Sequence, residues 1–305
     1  MKARTACRGD AGASPPLSEG MGARALYLAE ADGLVVRADG PSLRIEQPGK
    51  AAWHVPPGRV GRAVFWGNVL VESAAIGLLL AGGVPVSFVG RRGETMGLAW
   101  APTETLGPLA GLLDRRRRDP EWVEAYRLLL DAQVRQARLE LVRRISPAVH
   151  LRWTESGFRG ADWDAWRTTV LTGDLRVDPP WRYLKSLVWE AVTALVRRLG
   201  LDAHRGLLDP RQPLGLVHEL ARPLAPWIDG AVHWGLRAGL VRRGAGGDES
   251  AAALTPAAVR RWTARFEGEL PWLERDITRR IDEVLDLARD WQPPPGRTRR
   301  RRGEG

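Results

Sequence analysis

The chain has 305 residues, 44% hydrophobic and 27% charged, which excludes a disordered polymer and leaves room for two domains with separate cores. No apolar run approaches the roughly 20 residues that cross a bilayer, and the single cysteine, Cys7, excludes internal disulfides and cysteine-rich zinc sites. Lys and Arg exceed Asp and Glu by ten (46 − 36); arginine forks onto phosphate, which points to an anionic polymer, although a GC-rich genome enriches arginine without any such role.

Residues 1–20 are rich in Gly, Ala, Ser and Pro without periodicity and read as disordered. Patterned sequence begins at Met21, so Met1 and Met21 both stand as starts. The N-terminus lacks a signal-peptide core, and the expected location is the cytoplasm. Residues 21–101 read as a β-rich domain, with short strands at 25–28, 34–37, 43–46 and 52–55. Turns at Ala31-Asp32-Gly33, 38–41 and Gln47-Pro48-Gly49 separate them and predict hairpins, because glycine accepts positive φ. A strand at 60–65, a helix from Ser73 to Ala81 and a buried strand at 84–89 follow.

Residues 102–118 form a linker that ends in Arg115, Arg116, Arg117 and Arg118. That quartet is either a solvated face or a phosphate track. Residues 119–290 read as an all-helical domain, so the fold class is α+β, strands first and helices after. Asp119-Pro120 caps a long helix to 145, whose apolar positions (Tyr126, Leu129, Leu130, Val134, Ala137, Leu141, Ile145) recur at helical spacing. Trp163 and Trp166 read as helix-face core. A helix over 181–199 carries Glu190, read as a surface or capping acid, and Gly200 stops it.

Asp209-Pro210 and Gln212-Pro213 punctuate a loop before a second helix over 214–228 that continues to 241. Asp209 and Glu219 stand ten residues apart at this corner, either as solvated acids or as a pair for a hard divalent cation. After a polar break at 243–250, one helix runs from Thr255 to Phe266 and another from Pro271 to about 288, packed down by Trp262 and Trp272. Residues 291–305 read as a disordered basic tail with Arg299, Arg300 and Arg301 suited to non-specific DNA contact. His204, His218 and His233 lack zinc spacing and read as structural or surface residues.

Three stretches carry a family resemblance. Phe65-Trp66-Gly67-Asn68-Val69, then Gly83-Val84-Pro85-Val86-Ser87-Phe88-Val89, follow the strand, helix and strand run of the CRISPR-associated spacer-acquisition endonuclease, the integrase family Cas1. Gly200, Leu201, Gly206, Leu216, Leu220, Pro226 and Asp229 keep the frame of that family's C-terminal motif, and Phe158-Arg159-Gly160 with Trp166 matches its glutamate motif. The resemblance implies a homodimer formed through the N-terminal domain, assembly with the adaptation subunit Cas2, and a DNA endonuclease or integrase activity using Mg²⁺ or Mn²⁺. It places Arg159, Asp209 and Glu219 at the family's glutamate, histidine and aspartate ligand positions. Glu155, one helical turn before Arg159, Asp209 and Glu219 are therefore the expected catalytic and metal-ligating trio. The alternative expectation is a silent member, in which Arg159 pairs with Asp209 and Glu219 in place of the metal.

Overall fold

The computed structural model describes residues 24–101, 106–172, 178–240 and 254–292. Among these, the first part holds β1 (Arg24–Ala29), β2 (Val35–Asp39), β3 (Ser42–Glu46), β4 (Trp53–Val55), β5 (Val60–Trp66), β6 (Leu70–Val71), β7 (Val86–Val89) and β8 (Thr95–Ala99). Helix α1 (Ser73–Ala81) lies between β6 and β7. The strands form two four-stranded sheets, β1-β5-β7-β8 and β4-β3-β2-β6. The turn after β2 is a hairpin, with Asp39 opposite Ser42. The turn at Ala31-Asp32-Gly33 is not. There β1 pairs in parallel with β5, and the chain crosses to the second sheet before β2 begins.

β5 joins the two halves of the molecule. Its side chains alternate between faces: Ala63 and Phe65 pack with Leu43, Ile45 and Leu79 in a core between the sheets and α1, while Val64 and Trp66 enter the core of the helical half. Arg62 shares that second face and meets Glu190 there.

The helical half comprises α2 (Pro108–Arg116), α3 (Pro120–Ile145), α4 (Pro147–Ser156), α5 (Gly160–Arg167), α6 (Asp178–Arg198), α7 (Gly215–Ala221), α8 (Ala225–Arg237) and α9 (Pro256–Asp290). The Asp119 carboxylate caps α3 by accepting from the amides of Glu121 and Trp122 at 3.0 and 3.4 Å. Gly200 ends α6 at φ +69°, and its carbonyl accepts from the Gly107 amide at 2.8 Å, an approach that leaves no room for a Cβ.

Three expectations are corrected here. α9 is one helix running through Pro271, because a continuous buried stripe (Trp262, Phe266, Leu273, Ile277, Ile281, Val284) holds both sides of the proline in register. That burial offsets the roughly 3 kcal/mol an interior proline costs. Trp262 is fully buried as expected, but Trp272 is 42% exposed. Glu190 is no surface acid: it is 2% exposed, inside the junction with β5. The expected break at 243–250 and the residues Arg299, Arg300 and Arg301 lie outside the described residues. No described helix is long and apolar enough to cross a membrane.

Candidate nucleic-acid interface

The loop between α6 and α7 folds back over the start of α7, and Glu219 ties it down. Glu219 is 4% exposed. Its Oε2 accepts from the Tyr126 hydroxyl and the Leu207 amide, each at 3.0 Å. Its Oε1 accepts from the Leu208 and Asp209 amides at 2.8 and 3.4 Å. Burial pushes the carboxyl's pKa up against these four hydrogen bonds. Four donors on two oxygens occupy the acceptor capacity that a cation would need. Glu219 is a loop clamp.

Of the other members of the expected trio, Asp209 adjoins Glu219 through its backbone amide only. Asp209 is exposed, and its Oδ1 accepts from the Arg211 amide at 3.0 Å in a local turn. Glu155 is exposed near the end of α4. The helix does not continue from it to Arg159, because Gly157 adopts φ +84° and separates α4 from α5. Arg159 begins α5, exposed, with its amide donating to Asp162 Oδ2 at 3.0 Å. It makes no ion pair with Asp209 or Glu219, so the expected salt bridge in place of the metal is not formed; Glu219 is already satisfied by Tyr126 and the loop amides. Among the described residues, no group of three or more His, Cys, Asp or Glu is placed to hold a metal ion.

Several cationic side chains stand around this corner. Lys185 on α6 stands over two indoles, its Nζ 5.6 Å from the Trp181 ring centroid and 4.6 Å from that of Trp189. Burial, then Arg182, depresses its pKa. His218 lies edge-on to Trp189 at 5.9 Å. Its pKa is depressed by burial, then by Lys185 and Arg222. Arg222, in the 3₁₀ turn between α7 and α8, donates to Asp131 Oδ1 at 3.0 Å. Arg138 on α3 lies 5.1 Å from the Trp163 ring centroid. Burial first, then Arg222 and Arg167, depresses its pKa against the pull of Asp164 and Asp229. Asp229, 4% exposed, accepts from Arg167 Nε at 3.1 Å and Trp181 Nε1 at 3.0 Å, and burial raises its pKa.

Lys185, Arg222, Arg138 and Arg167 thus form one electrostatically linked, partly exposed set on four elements, Lys185 and Arg138 set against aromatic rings and Arg222 and Arg167 paired with Asp131 and Asp229. A hard divalent cation needs several convergent oxygen donors; these residues supply guanidinium and ammonium groups, which repel it. The donor set does not fit Mg²⁺ or Mn²⁺. It fits phosphate oxygens. The sequence reading missed Lys185, Arg167 and Arg222 as site residues. The signal was present in Trp181, Lys185 and Trp189, spaced by four along one face of α6.

Of the other arginines expected at DNA, Arg115 and Arg118 are exposed, while Arg116 donates from Nε to the Ala288 carbonyl at 2.7 Å and Arg117 pairs with Asp114 at 3.6 Å. Half of the quartet is therefore engaged within the fold.

Residues 26–146 match the family model described as CRISPR associated protein Cas1. No curated protein matches the chain. Among solved structures, a CAS1 protein from Thermotoga maritima superposes with a TM-score of 0.69 at 12% identity, over 88% of this chain and 98% of that one. A casposase bound to integration product gives 0.68 at 16% identity, over 88% and 92%. A Cas6-RT-Cas1–Cas2 complex gives 0.63 at 10% identity, over 87% of this chain and 35% of that one. The similarity to the Cas1 family thus rests on the sequence of residues 26–146 and on a fold shared with solved Cas1 structures.

Proposed function

We propose that this chain serves CRISPR adaptation as a DNA-binding member of the Cas1 family that does not supply a metal-dependent cutting or strand-transfer centre of its own. The observation that carries this reading is the Glu219 carboxylate, consumed by Tyr126 and three loop amides, beside a set of arginines and a lysine. The DNA backbone lies over Lys185, Arg222, Arg138 and Arg167, each offering donors to phosphate, with no base edges read. Two parts of the resemblance join the proposal: a homodimer through the N-terminal domain, and association with Cas2. The second is supported by the similarity to a Cas1–Cas2 assembly.

Fluorescence anisotropy with a branched duplex tests the reading. Affinity is expected to be the same in EDTA and in Mn²⁺, and to fall at least tenfold in the double variant Lys185→Ala, Arg222→Ala. Binding that requires Mn²⁺, or that the double variant leaves unchanged, overturns it.

A further inference from the structure

A concave site opens in the helical half between α3, α8 and α9. It is a groove of about 590 Å³, within the range of small-ligand sites. None of the side chains of Lys185, His218, Arg138, Arg167 or Arg222 lines it, although Ala137 and Pro223 in its wall are chain neighbours of Arg138 and Arg222. Two of its wall indoles are unusually open for tryptophan: Trp234 is 39% and Trp272 42% exposed. Trp234 is fixed edge-on against buried Trp262 at 6.1 Å and carries Arg265 at 5.0 Å from its ring centroid.

The charges of the groove are arranged for an anion or a carbonyl. Each wall carboxylate is already neutralised. Glu140 accepts from Arg143 and Arg144 at 2.9 and 3.0 Å. Glu269 pairs with Arg265 and accepts from Trp227 Nε1. Asp276 accepts from Arg279 at 2.7 Å and from Arg280 Nε at 2.8 Å. Arg280 is only 6% exposed, and its Nη1 is buried without a hydrogen-bond partner among the described residues. A buried cationic donor left unmade is costly. An acceptor arriving in the groove would satisfy it.

We propose that this groove binds an unpaired nucleotide, its base stacked on Trp272 or Trp234 and a phosphate or carbonyl oxygen on Arg280. Both halves of the chemistry are needed: open indoles take a flat ring of any base, and a guanidinium takes its oxygens. A base inside a duplex is already stacked and cannot lie on an indole face. The source is a free mononucleotide or the single-stranded end of a DNA.

The test is ¹⁹F NMR of the full chain labelled with 5-fluorotryptophan, with the Trp234 and Trp272 resonances assigned through Trp234→Phe and Trp272→Phe. The probes are thymidine monophosphate and hexathymidylate. Saturable shifts of both resonances are expected, with the dissociation constant raised about tenfold in Arg280→Gln, in line with the loss of one stacked or hydrogen-bonded nucleotide contact. Equal response to both probes identifies a free nucleotide as sufficient; response to the hexamer alone identifies a strand end; either supports the site. Should Arg280→Gln fail to fold, Ala137→Trp fills the groove from α3 and is expected to abolish the shifts. Unmoved Trp234 and Trp272 resonances with both probes, or shifts that survive Ala137→Trp, overturn the proposal. Neither result bears on duplex binding by the basic face, which Lys185→Ala with Arg222→Ala reads separately.

Discussion

Arg62 Nε of β5 and Glu190 Oε2 of α6 stand 3.5 Å apart where the sheet meets the helices, with side chains 10% and 2% exposed. Among the described residues, neither Glu190 oxygen has a hydrogen-bond partner. Arg62 also pairs with Glu267 of α9, which accepts from the Tyr27 hydroxyl of β1. One guanidinium therefore serves two carboxylates across the junction, and it leans on the Phe266 ring at 5.1 Å. Burial outweighs Arg62 and pushes the Glu190 pKa up to about 7, with Glu267 and Glu274 adding to the rise.

The sign of the resulting pH dependence follows from linkage. A carboxyl whose native pKa lies above its ordinary 4.5 holds its proton more tightly when folded. Its contribution is complete below about pH 4.5 and is lost as pH rises through 7. Glu190→Gln mimics the protonated form. It is expected to raise stability at pH 8 by on the order of 3 kcal/mol and to change little at pH 4.5. Denaturant midpoints of the two proteins at both pH values check this, and an unchanged gap between them contradicts it.

Glu219 is expected to act on stability, not on chemistry. Glu219→Ala strands the Tyr126 hydroxyl and three loop amides, at a cost of about 3 kcal/mol or more, while Tyr126→Phe removes one donor at about 1 kcal/mol. Thermal unfolding with and without Mn²⁺ checks both variants. The losses should be the same in either condition.

Pro271 offers an independent check on α9. Pro271→Ala restores the amide that the Glu267 carbonyl lacks at this exposed helix position. The gain is about 1–2 kcal/mol, less than the full interior-proline cost because proline also stiffens the unfolded chain. A loss of stability would show that the helix needs its bend here.

The architecture was legible wherever local rules decide it. Asp119-Pro120 and Gly200 mark element ends by capping and φ alone, and the structure puts the ends there; α1 also spans Ser73 to Ala81, although its N-cap is Glu72 without a side-chain capping bond. What tertiary packing decides was not legible. Asp32-Gly33 has the chemistry of a hairpin turn, but strand partners are chosen by which face is buried, and β1 found β5. Pro271 reads as a helix start until the stripe on both sides is seen buried. Glu190 and Glu219 look like surface acids because sequence does not reveal that Arg62 and Tyr126, more than 90 residues away in each case, lie against them. The basic face was hardest: Lys185, Arg222, Arg138 and Arg167 come from four elements, and only the fold makes them one surface.

Salt dependence probes that surface. For wild type, log K should fall steeply and linearly with log salt. Lys185→Ala with Arg222→Ala should flatten the slope by roughly two, about one per lost phosphate contact. An unchanged slope would place the DNA elsewhere on the chain.

The most direct measurement of the central claim is strand transfer and cleavage by the purified full-length chain on branched DNA bearing a free 3′ hydroxyl, run in Mn²⁺ and in EDTA. The account predicts bound DNA in both conditions and no product in Mn²⁺ beyond that in EDTA. Mn²⁺-dependent product that Glu155→Ala abolishes and Arg159→Ala leaves intact would contradict it, and would restore Glu155, Asp209 and Glu219 as the site.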